Sequence, residues 1–171
     1  WVIWPLSIIR DDDVWSGRVD DQATLVDMGN YNYDNSFWGL NEMWNQYYGM
    51  IKVANAALES LDSYAENIKS DADMKNYHTY CGEVLFLRAY AYYRLVQGFG
   101  AVTILRSNSQ TDMTRSTIDA VNRYMLEDLE YGYTNMPLIR PNESNHFGAV
   151  TAYSAMALAA KVYLNMGNYA K

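Results

Sequence analysis

The chain has 171 residues, half of them hydrophobic, with 10 Gly and only 3 Pro. That is enough apolar mass for a sizeable core and too little turn chemistry for a loop-rich β-sandwich or a low-complexity linker. Thirteen Lys and Arg against twenty Asp and Glu leave a formal charge of −7, which excludes a general nucleic-acid binder and a basic helix lying on an anionic membrane.

A single cysteine, Cys81, excludes an intrachain disulfide framework and multi-cysteine zinc or iron–sulfur patterns. Aromatic residues make up 15% of the chain, and all five tryptophans (Trp1, Trp4, Trp15, Trp38, Trp44) fall within the first 44 positions. Buried rings are the ordinary use of such residues, whereas exposed rings suit a site for sugars or peptides. No apolar run approaches the roughly 20 residues a bilayer core requires. The opening stretch Trp1–Ile9 lacks a Met, a basic n-region and a small-residue cleavage site, and the chain reads as a piece of a longer one.

In chain order, residues 1–43 form an irregular acidic and aromatic region. Seven aspartates and two arginines lie between Arg10 and Asp34, with one short helix expected near Asp20–Met28. Residues 44–171 form a helical region. Trp44, Tyr47, Tyr48, Ile51, Ala54, Leu58 and Leu61 step by three and four along one helical face, with Asn41 or Asn35 as the expected cap. A second helix is expected over Asp73–Gln97, apolar around most of its circumference and so packed between neighbours, with Gly98 and Gly100 ending it. Ala101–Leu105 reads as an extended connector. A third helix starts near Thr117, capped by Ser116 or Thr117, and Met136-Pro137 and Pro141-Asn142 forbid its continuation. The alanine-rich stretch Ala149–Met166 predicts a fourth helix that approaches its neighbours closely and stops at Gly167-Asn168.

Helical hairpins in series suggest a repeat. Ala160, Tyr163, Gly167 and Tyr169 match the tetratricopeptide spacing, and Ala91 and Gly98 match it more loosely, with Arg94 at the aromatic position. A spacing of 69 separates both Ala91 from Ala160 and Gly98 from Gly167, about two such periods of ~34 residues. The expected fold is all-α, with tetratricopeptide-like hairpins stacked in an α-superhelix that stops partway through a repeat.

Catalytic constellations are scarce. His78 and Cys81 give an H-x2-C pair with no second pair to complete a zinc site. There is no G-x-S-x-G elbow and no phosphate-loop or dinucleotide fingerprint. An EF-hand loop starting at Asp11 would place Ser16 and Gln22 where Gly and Glu are needed. Glu83, Arg88 and Arg94 sit on a strongly apolar helix, where ionic groups need partners, and structural salt bridges are expected there. The reading is a non-enzyme with no cofactor and no metal.

Four segments in order resemble the SusD/RagB family of Bacteroidota outer-membrane lipoproteins. The first is Trp44, Tyr48, Ile51, Asn55 and Leu58. The second, most specific, is Gly82, Glu83, Phe86, Leu87, Arg88, Ala89, Tyr92, Leu95, Phe99 and Gly100. The third runs through Arg115, Thr117, Val121, Met125, Asp128, Leu129 and Pro137. The fourth is the alanine-rich run from Thr151 to Tyr169. Thr103 stands where the family usually has Pro, and Lys161 where it usually has Arg. Members are much longer and carry a lipid-bearing N-terminal Cys, a role Cys81 cannot fill, so the chain resembles an N-terminal portion.

The resemblance implies a non-catalytic nutrient-binding protein, lipid-anchored on the extracellular face of the outer membrane. It would capture glycans, or in some members peptides, for import through a SusC-like TonB-dependent transporter. An acidic surface suits a neutral ligand. The Asn30–Trp38 stretch combines rings with amide and carboxylate partners, which nominates Tyr31, Asn32, Tyr33 and Trp38 for ligand contact, followed by Asp12 and Trp15. Trp44, Tyr48, Asn55, Phe86 and Tyr163 are expected to face inward as scaffold, with Asn55 bonded to a neighbouring backbone carbonyl. The alternative functional reading is a tetratricopeptide-type protein–protein scaffold.

Overall fold

The computed structural model describes residues 7–9, 11, 13–14, 19–32, 34, 37–143 and 147–170. Among them are five α-helices: α1 Val19–Gly29, α2 Trp38–Ala65, α3 Asp71–Phe99, α4 Ile118–Asn135 and α5 Ala152–Asn165, with a 3-10 turn at Pro141–Glu143. No strand occurs among the described residues, in agreement with the all-α expectation. Two compact units are formed, Trp1–Gln46 and Tyr47–Lys171. No helix among the described residues is long and apolar enough to cross a membrane.

Local chemistry sets the helix ends. Ser70 caps α3 by accepting from the Asp73 N–H at 3.1 Å, and its hydroxyl donates to the Asp73 carboxylate at 2.6 Å. Asp71 and Asp73 in that first turn suit the positive end of the helix dipole. Gly100, at φ +70°, ends α3 by donating to the Val96 carbonyl, while Gly98 lies inside the helix. Of the two candidate caps for α4, Thr117 serves, accepting from Ala120 N–H at 3.2 Å. Asn41 does not cap α2. The helix begins three residues earlier at Trp38, led in by bonds from Phe37 N–H to the Asp34 carbonyl and from Leu40 N–H to the Phe37 carbonyl. Asn35 lies outside the described residues.

The unit Tyr47–Lys171 is built around one core. Tyr92, Leu95, Val121 and Leu129 are fully buried with Ile51, each large aliphatic chain stabilising the fold by about 1.5–3 kcal/mol. Helices α3 and α4 approach closely at two glycines. A Cβ on Gly82 would sit 2.8 Å from the Met136 Cγ and 3.4 Å from the Gly132 Cα. A Cβ on Gly132 would sit 3.4 Å from the Cβ of Ala155 on α5. Small residues thus set the spacing of three successive helices, as the alanine content of α5 predicts.

The connector Ala101–Leu105 is neither helix nor strand, and Val102 and Leu105 are buried. It has no β-partner, so its backbone polar groups are satisfied chiefly by side chains. Tyr48 Oη donates to the Thr103 carbonyl at 2.8 Å, Asn55 Nδ2 to the Leu105 carbonyl at 3.1 Å, and Gln110 Nε2 to the Ile104 carbonyl at 2.9 Å. Leu105 N–H donates to Tyr92 Oη at 2.7 Å.

The same Asn55 accepts from Arg88 Nη1 at 2.9 Å. Arg88 makes a bidentate pair with Asp128, Nε to Oδ2 at 2.8 Å and Nη2 to Oδ1 at 2.7 Å. One buried network therefore links α2, α3, α4 and the connector. Burial pushes the Asp128 carboxyl above the usual carboxylate range, against the opposing pull of Arg88. Desolvation offsets part of the attraction between the pair. Arg94, also expected in an ion pair, instead donates to Tyr90 Oη and Gln97 Oε1 and lies 5.4 Å from the centre of the Tyr90 ring.

Three expectations need correction. Trp44, read as inward-facing, is 38% exposed. Helix α3 is not covered on every side, because Tyr80 and Leu87 remain exposed. The 69-residue spacing does not mark equivalent positions, since Gly98 is helical and Gly167 (φ +72°) lies just beyond a helix end. Ala91 is fully buried, whereas Ala160 is exposed.

Candidate ligand-binding site

The nominated ligand residues fall within the unit Trp1–Gln46. Its small core comprises Ile9, Met28 and Phe37, with Leu25 and Leu40 packed against them. Phe37 points in and Trp38 points out, their ring centres 5.7 Å apart and tilted by 37°. Gly39 makes room for this, because a Cβ there would come 2.5 Å from the Phe37 ring. The Trp38 indole Nε1 donates to Thr24 Oγ1 on α1 at 3.1 Å, so a ring that is 37% exposed is held in one orientation.

Tyr31 and Asn32 follow the end of α1. Tyr31 N–H donates to the Met28 carbonyl and Asn32 N–H to the Asp27 carbonyl, the paired bonds of a Schellman cap. The cap requires a left-handed residue, and that residue is Tyr31, at φ +58°. It is the one non-glycine residue with positive φ among those described. A side chain in this conformation costs roughly 1–2 kcal/mol, a cost glycine avoids. Tyr31 is 62% exposed, and Asn30 and Asn32 on either side are exposed as well. The structure thus describes Tyr31, Asn32 and Trp38 as accessible. Asp12, Trp15 and Tyr33 lie outside the described residues.

The scaffold residues behave differently. Tyr48 and Asn55 are buried, and Phe86 and Tyr163 pack against the core. Two guanidinium groups lie over the Tyr124 ring, Arg88 at 5.0 Å and Arg106 at 4.9 Å from its centre. Neither that stack nor the role of Thr24 is foreseen from the sequence, because both pair residues distant along the chain.

A second group surrounds Cys81. Tyr77 Oη donates to Asp62 Oδ1 at 2.9 Å, and His78 Nδ1 lies 2.7 Å from Tyr131 Oη. Burial pushes the Cys81 thiol up and the Tyr131 hydroxyl up to about 12, so both stay protonated near neutrality and the thiol is a poor nucleophile. His78 also lines an open cleft of about 420 Å³ with Asp71, Met74, Lys75, Thr134 and Asn135. No group of three or more His, Cys, Asp or Glu side chains suited to a metal ion occurs among the described residues.

Comparison with solved structures places this fold. A SusD superfamily protein from Bacteroides vulgatus ATCC 8482 superposes with a TM-score of 0.83 at 19% identity, over 99% of this chain and 35% of that one. A SusD-like protein from Bacteroides fragilis NCTC 9343 gives 0.81 at 24% identity, over 97% and 32%. Surface glycan-binding protein A from Bacteroides fluxus gives 0.78 at 24% identity, over 97% and 35%. The chain therefore spans about a third of the length of these solved relatives. No curated protein matches it significantly. Residues 12–164 match the model of a family described as starch-binding and associating with the outer membrane, and the chain belongs to that SusD-like family.

Proposed function

We propose that the protein is a non-catalytic surface receptor that captures glycans at the extracellular face of the outer membrane and delivers them to a SusC-like TonB-dependent transporter. A lipid anchor would tether the full-length protein. Family membership supports this reading, as does the likeness to a protein named for surface glycan binding. The observation that carries it is the outward Trp38 ring, fixed by Thr24 in the part of the chain that lies outside the main helical core. A fixed, partly exposed ring offers a flat apolar face to the C–H surface of a sugar, with little side-chain entropy left to lose on binding. Tyr31, Asn32 and Trp38, with Tyr33, Asp12 and Trp15, are the proposed contact residues.

Calorimetry of the full-length protein against a panel of oligosaccharides tests the proposal. At least one glycan is expected to bind without being hydrolysed, and Trp38→Ala should weaken it at least tenfold while the far-ultraviolet circular dichroism stays unchanged. Unchanged affinity in that variant refutes the site. Turnover of any glycan refutes the receptor role.

A further inference from the structure

Arg94 on α3 is a half-buried cation, and among the described residues no carboxylate comes within ion-pair distance of it. A partly desolvated guanidinium ordinarily takes an acidic partner, as Arg88 does one turn and a half earlier. Neutral groups hold Arg94 instead. Its Nε donates to Tyr90 Oη at 3.1 Å and its Nη1 to Gln97 Oε1 at 3.2 Å, which leaves three of the five N–H groups unspent. None of its nitrogens is sealed from solvent without a partner.

The groups around this cation are donors as well. Tyr47 on α2 and Tyr90 and Tyr93 on α3 lie within its electrostatic reach, each ring half-buried against the core. The Tyr47 and Tyr93 hydroxyls have no hydrogen-bond partner among the described residues and stay open to water. Burial pushes the Tyr47 hydroxyl above the ordinary phenol value, so it keeps its proton. Tyr90 Oη, which accepts from Arg94, has its own proton to give.

The charge pattern of the sequence is a second, independent observation. No Asp or Glu occurs from Tyr47 to Leu58, or from Val84 to Thr111, a stretch that takes in most of α3 and the connector. An anion at Arg94 therefore meets no carboxylate from either helix segment that builds the cluster, and the local field favours it.

We propose that Arg94, with Tyr47, Tyr90 and Tyr93, forms a subsite for the carboxylate of an acidic saccharide, a uronate that accepts from the guanidinium and the phenol hydroxyls. A guanidinium meets a carboxylate through two parallel N–H···O bonds. The half-buried rings beside it offer apolar faces that a sugar ring can cover. None of these four residues belongs to the contact set proposed above, and the inference rests on the receptor reading only in taking the carboxylate to be part of a glycan.

Calorimetry of the full-length protein tests it with trigalacturonate, maltotriose and the peptide triglutamate as probes. The variants are Arg94→Gln and the double change Tyr47→Phe with Tyr93→Phe, which keeps both rings and removes two hydroxyls. Trigalacturonate should bind wild type more tightly than either other probe. Arg94→Gln should weaken it at least tenfold, and the double variant at least threefold with an unchanged Tm. Equal affinity in wild type and Arg94→Gln overturns the subsite. If Arg94→Gln lowers the Tm, the double variant decides, and unchanged affinity there overturns the subsite too. Arg94-dependent binding of triglutamate in preference to trigalacturonate overturns the saccharide and marks a contact for an acidic protein. Wild type that binds a neutral glycan of the wider panel but not trigalacturonate overturns this inference alone, whereas wild type that binds no saccharide overturns the receptor reading with it.

Discussion

The two units of the chain use similar residue types for opposite purposes. In Tyr47–Lys171 one set of aromatic and ionic groups turns inward. Tyr92 is fully buried, and its hydroxyl fixes the connector backbone. Arg88 and Asp128 are sealed against each other and Asn55. In Trp1–Gln46 the buried core is small, most of the net negative charge is concentrated, and Tyr31 and Trp38 keep their rings accessible. Polar bonds in the first case specify how helices meet. In the second they aim a side chain at solvent. The sequence motifs that identify the family lie almost entirely in the scaffold, so they report how the chain folds and say little about what it holds.

The sharpest way to break this comparison is to open the buried network. Arg88→Met leaves the Asp128 carboxylate buried without its partner, and Asp128→Leu strands the guanidinium. Each single change should cost about 3–5 kcal/mol, and the double change should recover most of that loss. Urea unfolding of the four proteins measures it. Single variants with an unchanged midpoint would show that the network is not structural, and the contrast between the units would fail.

A smaller effect separates the two kinds of helical glycine. A Cβ on Gly49 would meet nothing within 4 Å, whereas the same atom on Gly82 would be 2.8 Å from the Met136 Cγ. Alanine at an open helical site gains roughly 0.5–1 kcal/mol, and overpacking costs about 1–3 kcal/mol. Gly49→Ala should therefore raise the thermal midpoint. Gly82→Ala should lower it, because Met136 must move before α3 and α4 can keep their spacing. A rise in both would mean that the close approach carries no tension.

Most of the scaffold was legible because its causes are local and periodic. Steps of three and four placed α2, an apolar circumference α3, apolar residues between a threonine cap and two prolines α4, and alanine content α5; Thr117 and Gly100 marked ends, and an asparagine in an apolar stripe signalled a backbone carbonyl, found at Leu105. The start of α2 was missed because Trp38, six residues before Trp44, falls on a different face from the stripe that begins there. The inward reading of Trp44 failed for a related reason. Spacing identifies a face, but the neighbours decide whether that face is covered. At the site, composition singled out Tyr31 and Trp38, but neither the left-handed backbone of the one nor the Thr24 bond of the other has a sequence signature. Nothing in the type of residue 31 announces a Schellman cap, since glycine is the signal for that geometry.

The least disruptive test concerns Thr24. Its hydroxyl accepts from Trp38 Nε1 across an exposed surface, and an exposed neutral hydrogen bond contributes only about 0.5–1.5 kcal/mol at most. Thr24→Val keeps the branched shape and removes the acceptor. Stability should fall by less than about 1 kcal/mol, whereas affinity for a bound glycan should drop several-fold, because the indole must be ordered anew on each binding event. The Trp38 indole N–H resonance would report the released ring directly through faster exchange with solvent. If stability falls as far as in the Arg88 variants, Thr24 holds the fold together. In that case the N-terminal unit uses its polar bonds as the helical core does.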